Sequence, residues 1–169
     1  MKLGVICDGI SRDLSHALKV MDEFGLDYAE LQFVWDKEVG DHDASEIAQI
    51  KELLDTHNKP VSCLSRHIFA GLTTASKAGD KDHTRHMDYL KCVIEMAHQL
   101  NCPLVRIMTS KKEQILWGPN GAEHWNVARG AWDTLPPLIA PAVDLARKEG
   151  ITLVVETGNG TMVNSNYTA

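Results

Sequence analysis

Gly150-Ile-Thr-Leu-Val-Val-Glu-Thr-Gly-Asn159 is the stretch on which the fold turns. A helical pattern stops at Gly150, an apolar run follows, and Glu156 stands where that run ends. Glycine just past a helix supplies the left-handed residue that closes the last turn, and the short apolar run after it reads as a strand. A carboxylate at the C-terminal end of a strand fed by a helix is where β/α enzymes place their chemistry. The chain reaches Ala169 ten residues after Asn159. This reading therefore expects a site residue whose surroundings are incomplete.

Working back from that stretch, apolar strand-like runs alternate with amphipathic helical ones. Leu3 to Cys7 is a first strand. A helix follows, with Ser11 as N-cap, Leu14, Ala17, Leu18, Met21 and Phe24 at helical spacing, and Gly25 just past its end. Tyr28 to Val34 is a second strand, and Ser45 caps a second helix whose apolar face is Ile47, Ile50, Leu53 and Leu54. Val61 to Ile68 is a third strand, followed by a polar loop from Gly71 to about Asp82. Met87, Leu90, Val93, Ile94, Ala97 and Leu100 form one stripe on a third helix, and Leu104 to Met108 is a fourth strand. The fourth helical region, Trp125 to Lys148, contains Pro136, Pro137 and Pro141. Each interior proline costs about 3 kcal/mol. The pattern therefore predicts a break near Leu135 and a second helical segment carrying Leu138, Ile139, Val143 and Leu145. Ile151 to Val155 is the fifth strand.

Strand–helix units of about thirty residues imply parallel strands joined by right-handed crossovers. Two architectures remain: an open doubly wound sheet and a (β/α)8 barrel. Asp8-Gly9-Ile10-Ser11, after the first strand, lacks the GxGxxG or Walker pattern, which removes the best evidence for a nucleotide-binding open sheet. Five strands suit an open sheet, whereas a closed barrel wants eight.

At 169 residues one domain is expected, with roughly 70% of the unfolded chain's surface buried. Net charge is −6 and no cluster of lysine and arginine exceeds Lys111-Lys112, which argues against nucleic acid or an anionic membrane as partner. Met1-Lys-Leu-Gly-Val-Ile-Cys-Asp8 meets a charge and a glycine too early for a signal segment, and no apolar run approaches membrane-spanning length. A soluble cytoplasmic protein is the expectation. Cys7, Cys63, Cys92 and Cys102 have no CxxC spacing and read as reduced buried thiols.

Two longer segments carry a resemblance. Tyr89-Leu-Lys-Cys-Val-Ile-Glu-Met-Ala-His-Gln-Leu-Asn-Cys-Pro-Leu-Val-Arg-Ile107 and Leu135 through Glu156 are similar to the third to fifth units of xylose isomerase-like TIM barrels, and Gly25-Leu-Asp-Tyr-Ala-Glu-Leu31 resembles that superfamily's second strand with its glutamate. The superfamily includes sugar isomerases and epimerases, inosose dehydratases and the endonuclease IV group. The resemblance implies a partial (β/α)8 barrel of about five parallel strands with outer helices, the N-terminal portion of a single domain. It also implies a divalent metal, Mg²⁺ or Mn²⁺, held by carboxylates and a histidine at later strand ends, with Glu156 as first ligand and as one of two glutamates that move a proton beside a carbonyl. The partners from later strands are not in this sequence. Thr157 departs from the asparagine that the family resemblance suggests after the glutamate.

Several other residues merit individual weight. His67, near the end of the third strand, would point into a barrel mouth, as a substrate contact or as a hydrogen-bonded rim histidine. Arg106 lies inside the fourth strand, where an unpaired charge is costly, so it should pair with Glu30 or Glu156 or touch substrate. Trp35 and Trp117 sit in β/α loops, as sugar-stacking surfaces or as loop anchors. Glu123 and His124 fit helix-cap positions. His83 and His86 have metal-like spacing but no third ligand nearby, so a solvated helix start is preferred.

Two functions stay open. One is a sugar or polyol isomerase or epimerase of which this chain is the N-terminal part, inactive alone. The other is a non-catalytic half-barrel that persists by oligomerising or binding another chain. Either way, strands one and five would leave unpaired edges, so association is expected, with Val5, Leu31, Ile107 and Val154 assigned to the barrel-facing side; a cap folded back after Asn159 is the rival, but Thr161 to Ala169 is too short and polar to cover that surface. An endonuclease would need a basic surface, which the acidic balance opposes.

Overall fold

A computed structural model describes residues 1–111, 125–158 and 160–163, without the side chains of 125–131. In chain order the elements are β1 Gly4–Ile6, α1 Leu14–Glu23, β2 Tyr28–Leu31, β3 Phe33–Val34, β4 Lys37–Glu38, α2 Ala44–Thr56, β5 Val61–Ser65, α3 Lys81–Gln99, β6 Leu104–Ile107, α4 Trp125–Lys148 and β7 Thr152–Val155. β1, β2, β5, β6 and β7 form one sheet in that order, each neighbouring pair parallel. Leu31, Leu64, Val105 and Leu153 make one register row across it. That row packs with Leu18 of α1, Ile50 of α2, Leu90 of α3 and Ala142 of α4 in a single core. All four helices therefore cover one face of the sheet, the arrangement of a partial TIM barrel.

Alternation of side chains along a strand puts the opposite set on the inner face. Arg106 pairs in register with Ser65 on one side and Val154 on the other, and Glu156 follows Val154 by two residues. A register shift between Ala29 and Glu30 sets Glu30 opposite Cys63, in phase with Ser65. The assignment of Val5, Leu31 and Ile107 to the barrel interior is thereby corrected. Leu31 and Ile107 belong to the helix-facing core and Val5 packs against it. Only Val154 of those four shares the face of Arg106.

Helix boundaries differ from the sequence reading in instructive ways. Asp13 caps α1, accepting from the Ser15 and His16 amides, and Asp43 caps α2 in a capping box with Glu46. Neither Ser11 nor Ser45 does so, because the first helical turn is set by where the apolar face docks. Phe24 lies past α1 and is 75% exposed. The expected second strand splits: after Leu31 the chain forms the antiparallel hairpin β3–β4, a separate two-stranded sheet. The predicted break near Leu135 is not seen, since α4 runs through all three prolines. Its buried positions among the described side chains are Leu135, Leu138, Ala142 and Ala146, the last three spaced by four, while Val143 is exposed. Proline's fixed φ is itself helical, so what is lost is hydrogen bonds, and docking this face offsets them.

Residues 161–163 turn back along the segment after β6. Thr161 bridges Lys111, the Met162 amide donates to the Ser110 carbonyl at 3.0 Å, and Met162 and Val163 are buried with Leu135. A short return of the chain, weighed above as a rival to association, is thus present at these residues. No helix among the described residues is long and apolar enough to cross a membrane.

Cys7, Cys63 and Cys102 are buried and Cys92 is exposed, all four as free thiols. Burial pushes Cys7 up to about 12 and Cys63 up to about 11. Because the thiolate is the reactive form, a thiol reagent should label Cys92 promptly and the other three only on unfolding. Mass spectrometry showing early labelling of Cys7 or Cys63 in the folded chain would contradict this packing.

Candidate functional site

Parallel strands bring every strand C-terminus to one edge, and two polar clusters gather there. The first spans four strands of the inner face. Ser65 Oγ donates to Glu30 Oε1 at 2.5 Å, Ser65 is the register partner of Arg106, and Arg106 Nη1 donates to Glu156 Oε2. Of the two partners the sequence allowed for Arg106, the structure selects Glu156 and gives Glu30 to Ser65. Glu156 is positioned by the β6–β7 ladder, whose last bond runs from its amide to the Ile107 carbonyl at 3.2 Å. Arg106 is only 9% exposed, and among the described residues its Nε and Nη2 have no hydrogen-bond partner. Each such buried donor costs about 1–3 kcal/mol. The inner face therefore retains a guanidinium edge that lacks an acceptor.

The second cluster joins β5 to the β3–β4 hairpin. His67 Nδ1 lies 2.8 Å from Glu38 Oε1, which also accepts from the His67 amide at 3.1 Å. Arg66, 3% exposed, donates to the Val39 carbonyl at 2.6 Å and forks onto Asp41 at 2.8 and 3.1 Å, with its guanidinium 4.2 Å from the Tyr89 ring centroid. Gly40, at φ +91, sits so close to α3 that an added Cβ would lie 2.8 Å from Val93 Cγ2. Trp35 turns the hairpin at φ 55, donates its amide to the Arg12 carbonyl at 2.7 Å, and sets its ring edge-on to His42. It packs against the core, as a loop anchor does.

Glu38 was not singled out from the sequence. Its partner is 29 residues away, and a charged residue in a polar loop carries no local signal. Trp117, Glu123 and His124 lie outside the described residues. His83 and His86 are not solvated, as a helix start would leave them, but buried. His83 lies 2.9 Å from the Leu138 carbonyl through Nε2, accepts from the Gly79 amide at Nδ1, and is 3% exposed. His86 Nδ1 accepts from the Phe69 amide at 3.1 Å, and burial holds its imidazole below the usual range. These histidines tie α3 to α4 and to the loop after β5, which is why an amphipathic stripe alone misjudged them.

Residues 18–169 match a family model described as xylose isomerase-like TIM barrel. No curated protein matches the chain. Among solved structures, 3-keto-D-glucoside 4-epimerase from E. coli superposes with a TM-score of 0.63 at 15% identity, over 99% of this chain and 60% of its own. D-allulose 3-epimerase from Methylomonas sp., in complex with D-allulose, gives 0.60 at 15% identity over 97% and 54%. A xylose isomerase-like TIM barrel protein from Mycobacterium smegmatis, in complex with magnesium, gives 0.57 at 15% identity over 91% and 49%. The chain thus spans about half to three fifths of these structures, and at such identity the likeness concerns the fold.

Proposed function

Because the chain belongs to the xylose isomerase-like TIM barrel family, we propose that it supplies the first five strands of a sugar or polyol isomerase or epimerase, with Glu156 moving a proton at the carbon next to a carbonyl. The observation that carries this reading is the Arg106–Glu156 pair on the inner face at the strand C-termini. Arg106 engages one carboxylate oxygen and so directs Glu156, as a base within reach of a carbon acid requires. Its two donors without acceptors suit an oxygen on which charge develops as the proton leaves. His67 and Trp117 are the further substrate-binding candidates, while the core packing of Trp35 suits a loop anchor.

A divalent ion, Mg²⁺ or Mn²⁺, is expected in the complete protein, and support for it comes from the family fold. Such an ion needs about six ligands. Among the described residues no three of His, Cys, Asp or Glu converge on one point, and Glu156 is already engaged by Arg106. The described residues do not by themselves fit the ion. A cytoplasmic setting accords with the four free thiols.

One observation favours a second reading, a non-catalytic half-barrel that self-associates. β1 and β7 end the sheet among the described residues, and Leu3, Trp132 and Val155 beside them are 48%, 37% and 41% exposed. An unpaired apolar edge invites pairing. Light scattering, Mn²⁺ calorimetry and a ketose epimerase assay should be run on this chain and on one extended by the rest of a barrel. The enzyme reading expects a self-associated chain without micromolar Mn²⁺ affinity and an active, metal-loaded extended form. An extended form that folds, stays inactive toward ketoses and polyols, and takes up no metal would leave the second reading.

A further inference from the structure

The Glu38–His67 contact carries an inference that rests on the isomerase reading and goes past it. We infer that Glu38 is the positioning residue of a substrate-facing histidine: its carboxylate holds His67 as the Nδ1–H tautomer, so that Nε2 is presented at the barrel mouth as an acceptor for a sugar hydroxyl.

An ionised carboxylate can only accept, so in the neutral imidazole a 2.8 Å contact with Nδ1 places the ring proton there and leaves Nε2 with a lone pair. Glu38 is held from several directions. The His67 amide donates to it at 3.1 Å, Arg66 Nε lies 3.6 Å from its other oxygen, and its backbone is paired with Phe33 across the hairpin. Its side chain is 19% exposed and that of His67 47%, so the carboxylate lies inside and the imidazole faces outward. Gln32 does not consume the lone pair. Its Nε2 is 3.3 and 3.2 Å from the two ring nitrogens, and a donor equidistant from both cannot lie along the diverging in-plane lone-pair axis of either. The Phe33 ring, 6.3 Å from the imidazole centroid, adds an apolar surface beside the amide and the acceptor. That combination of a ring face and mixed hydrogen-bonding groups suits a polyol.

The placement links this subsite to the inner face. His67 follows Ser65 by two residues, and Ser65 is the residue that donates to Glu30 and pairs in register with Arg106. One short segment, Ser65-Arg66-His67, thus joins the proton-transfer row, the hairpin anchor and the exposed imidazole.

Long-range ¹H–¹⁵N spectra of the labelled chain, under conditions where the ring is neutral, read the tautomer directly, with His67→Gln assigning the resonances. The expected result is a single Nδ1–H form, with the Nε2 resonance moving on titration with a ketohexose such as D-fructose. Glu38→Ala should give mixed tautomers and weaken the sugar-dependent shift at His67 by about tenfold. Glu38→Gln, which keeps an acceptor oxygen, should retain the tautomer and most of the affinity. The wild-type arm needs no variant and so survives a variant that misfolds. An Nε2–H or mixed form in the wild type overturns the inference. Sugar shifts confined to residues around Arg106, with His67 unmoved, overturn it while leaving the isomerase reading intact. Sugar that moves no resonance overturns the inference, while the isomerase reading is decided by the assay of the extended form.

Discussion

Replacing Arg66 by methionine is expected to lower the unfolding free energy by about 3 kcal/mol and the Tm by roughly 6–12 °C. Methionine keeps the apolar stem against Tyr89 and removes the guanidinium. Val39 is fully buried and its carbonyl accepts from Arg66 at 2.6 Å, so the variant strands an acceptor that water cannot reach, at about 1–3 kcal/mol. The fork onto Asp41 contributes less, because that carboxylate is 47% exposed, and on the order of 1 kcal/mol is appropriate. The contact with the Tyr89 ring, at 4.2 Å, adds a similar amount. One effect opposes these: Arg66 Nε is buried without a hydrogen bond, and its loss recovers a little. Thermal denaturation with amide exchange tests the balance, and Phe33 to Asp41 should exchange faster before the rest of the chain. An unchanged melting point would mean that the close approach of Gly40 to Val93 holds the hairpin unaided.

What could be read from the sequence follows from how local each cause is. The stripe from Met87 to Leu100 and the run from Leu153 to Val155 declare themselves within one element, and the alternation of such elements was enough for a parallel sheet with outer helices. The hairpin could not be read that way. Phe33 and Val34 continue the apolar run of β2, and the reversal depends on Trp35 at φ 55, a conformation for which a bulky side chain gives no signal. The inner and outer faces were confused because an apolar strand buried on both sides has no polar alternation to report its phase. At Arg106 the charge itself marked the inner face. Which glutamate it meets required the register, since Arg106 opposite Val154 brings Glu156 within reach while Ser65 takes Glu30. Capping was misassigned by two residues in both α1 and α2, because serine and aspartate serve equally there and the start is set by docking. In α4 the local cost of three prolines was correctly counted, but burial of Leu138, Ala142 and Ala146 outweighs it.

Glu156→Gln separates chemistry from stability, and the two effects should differ greatly in size. In the protein that completes the barrel, the amide cannot take up the proton, and turnover should fall by about 10²–10⁴ or more, the range for loss of a positioned general base. In this chain the same change should move stability by less than about 1 kcal/mol. The side chain of Glu156 is 43% exposed, so solvent screens much of its attraction to Arg106. Glutamine also keeps an oxygen that can accept from Nη1. Arg106 is the more sensitive member of the pair, being 9% exposed with two further donors that lack acceptors among the described residues, and it stays paired only if the amide oxygen faces it. Kinetics of the completed protein and a denaturant titration of this chain, both with the same substitution, provide the two readings. A large loss of stability with activity retained would make the pair a structural strut of the inner face and would move the proton-transfer role away from Glu156.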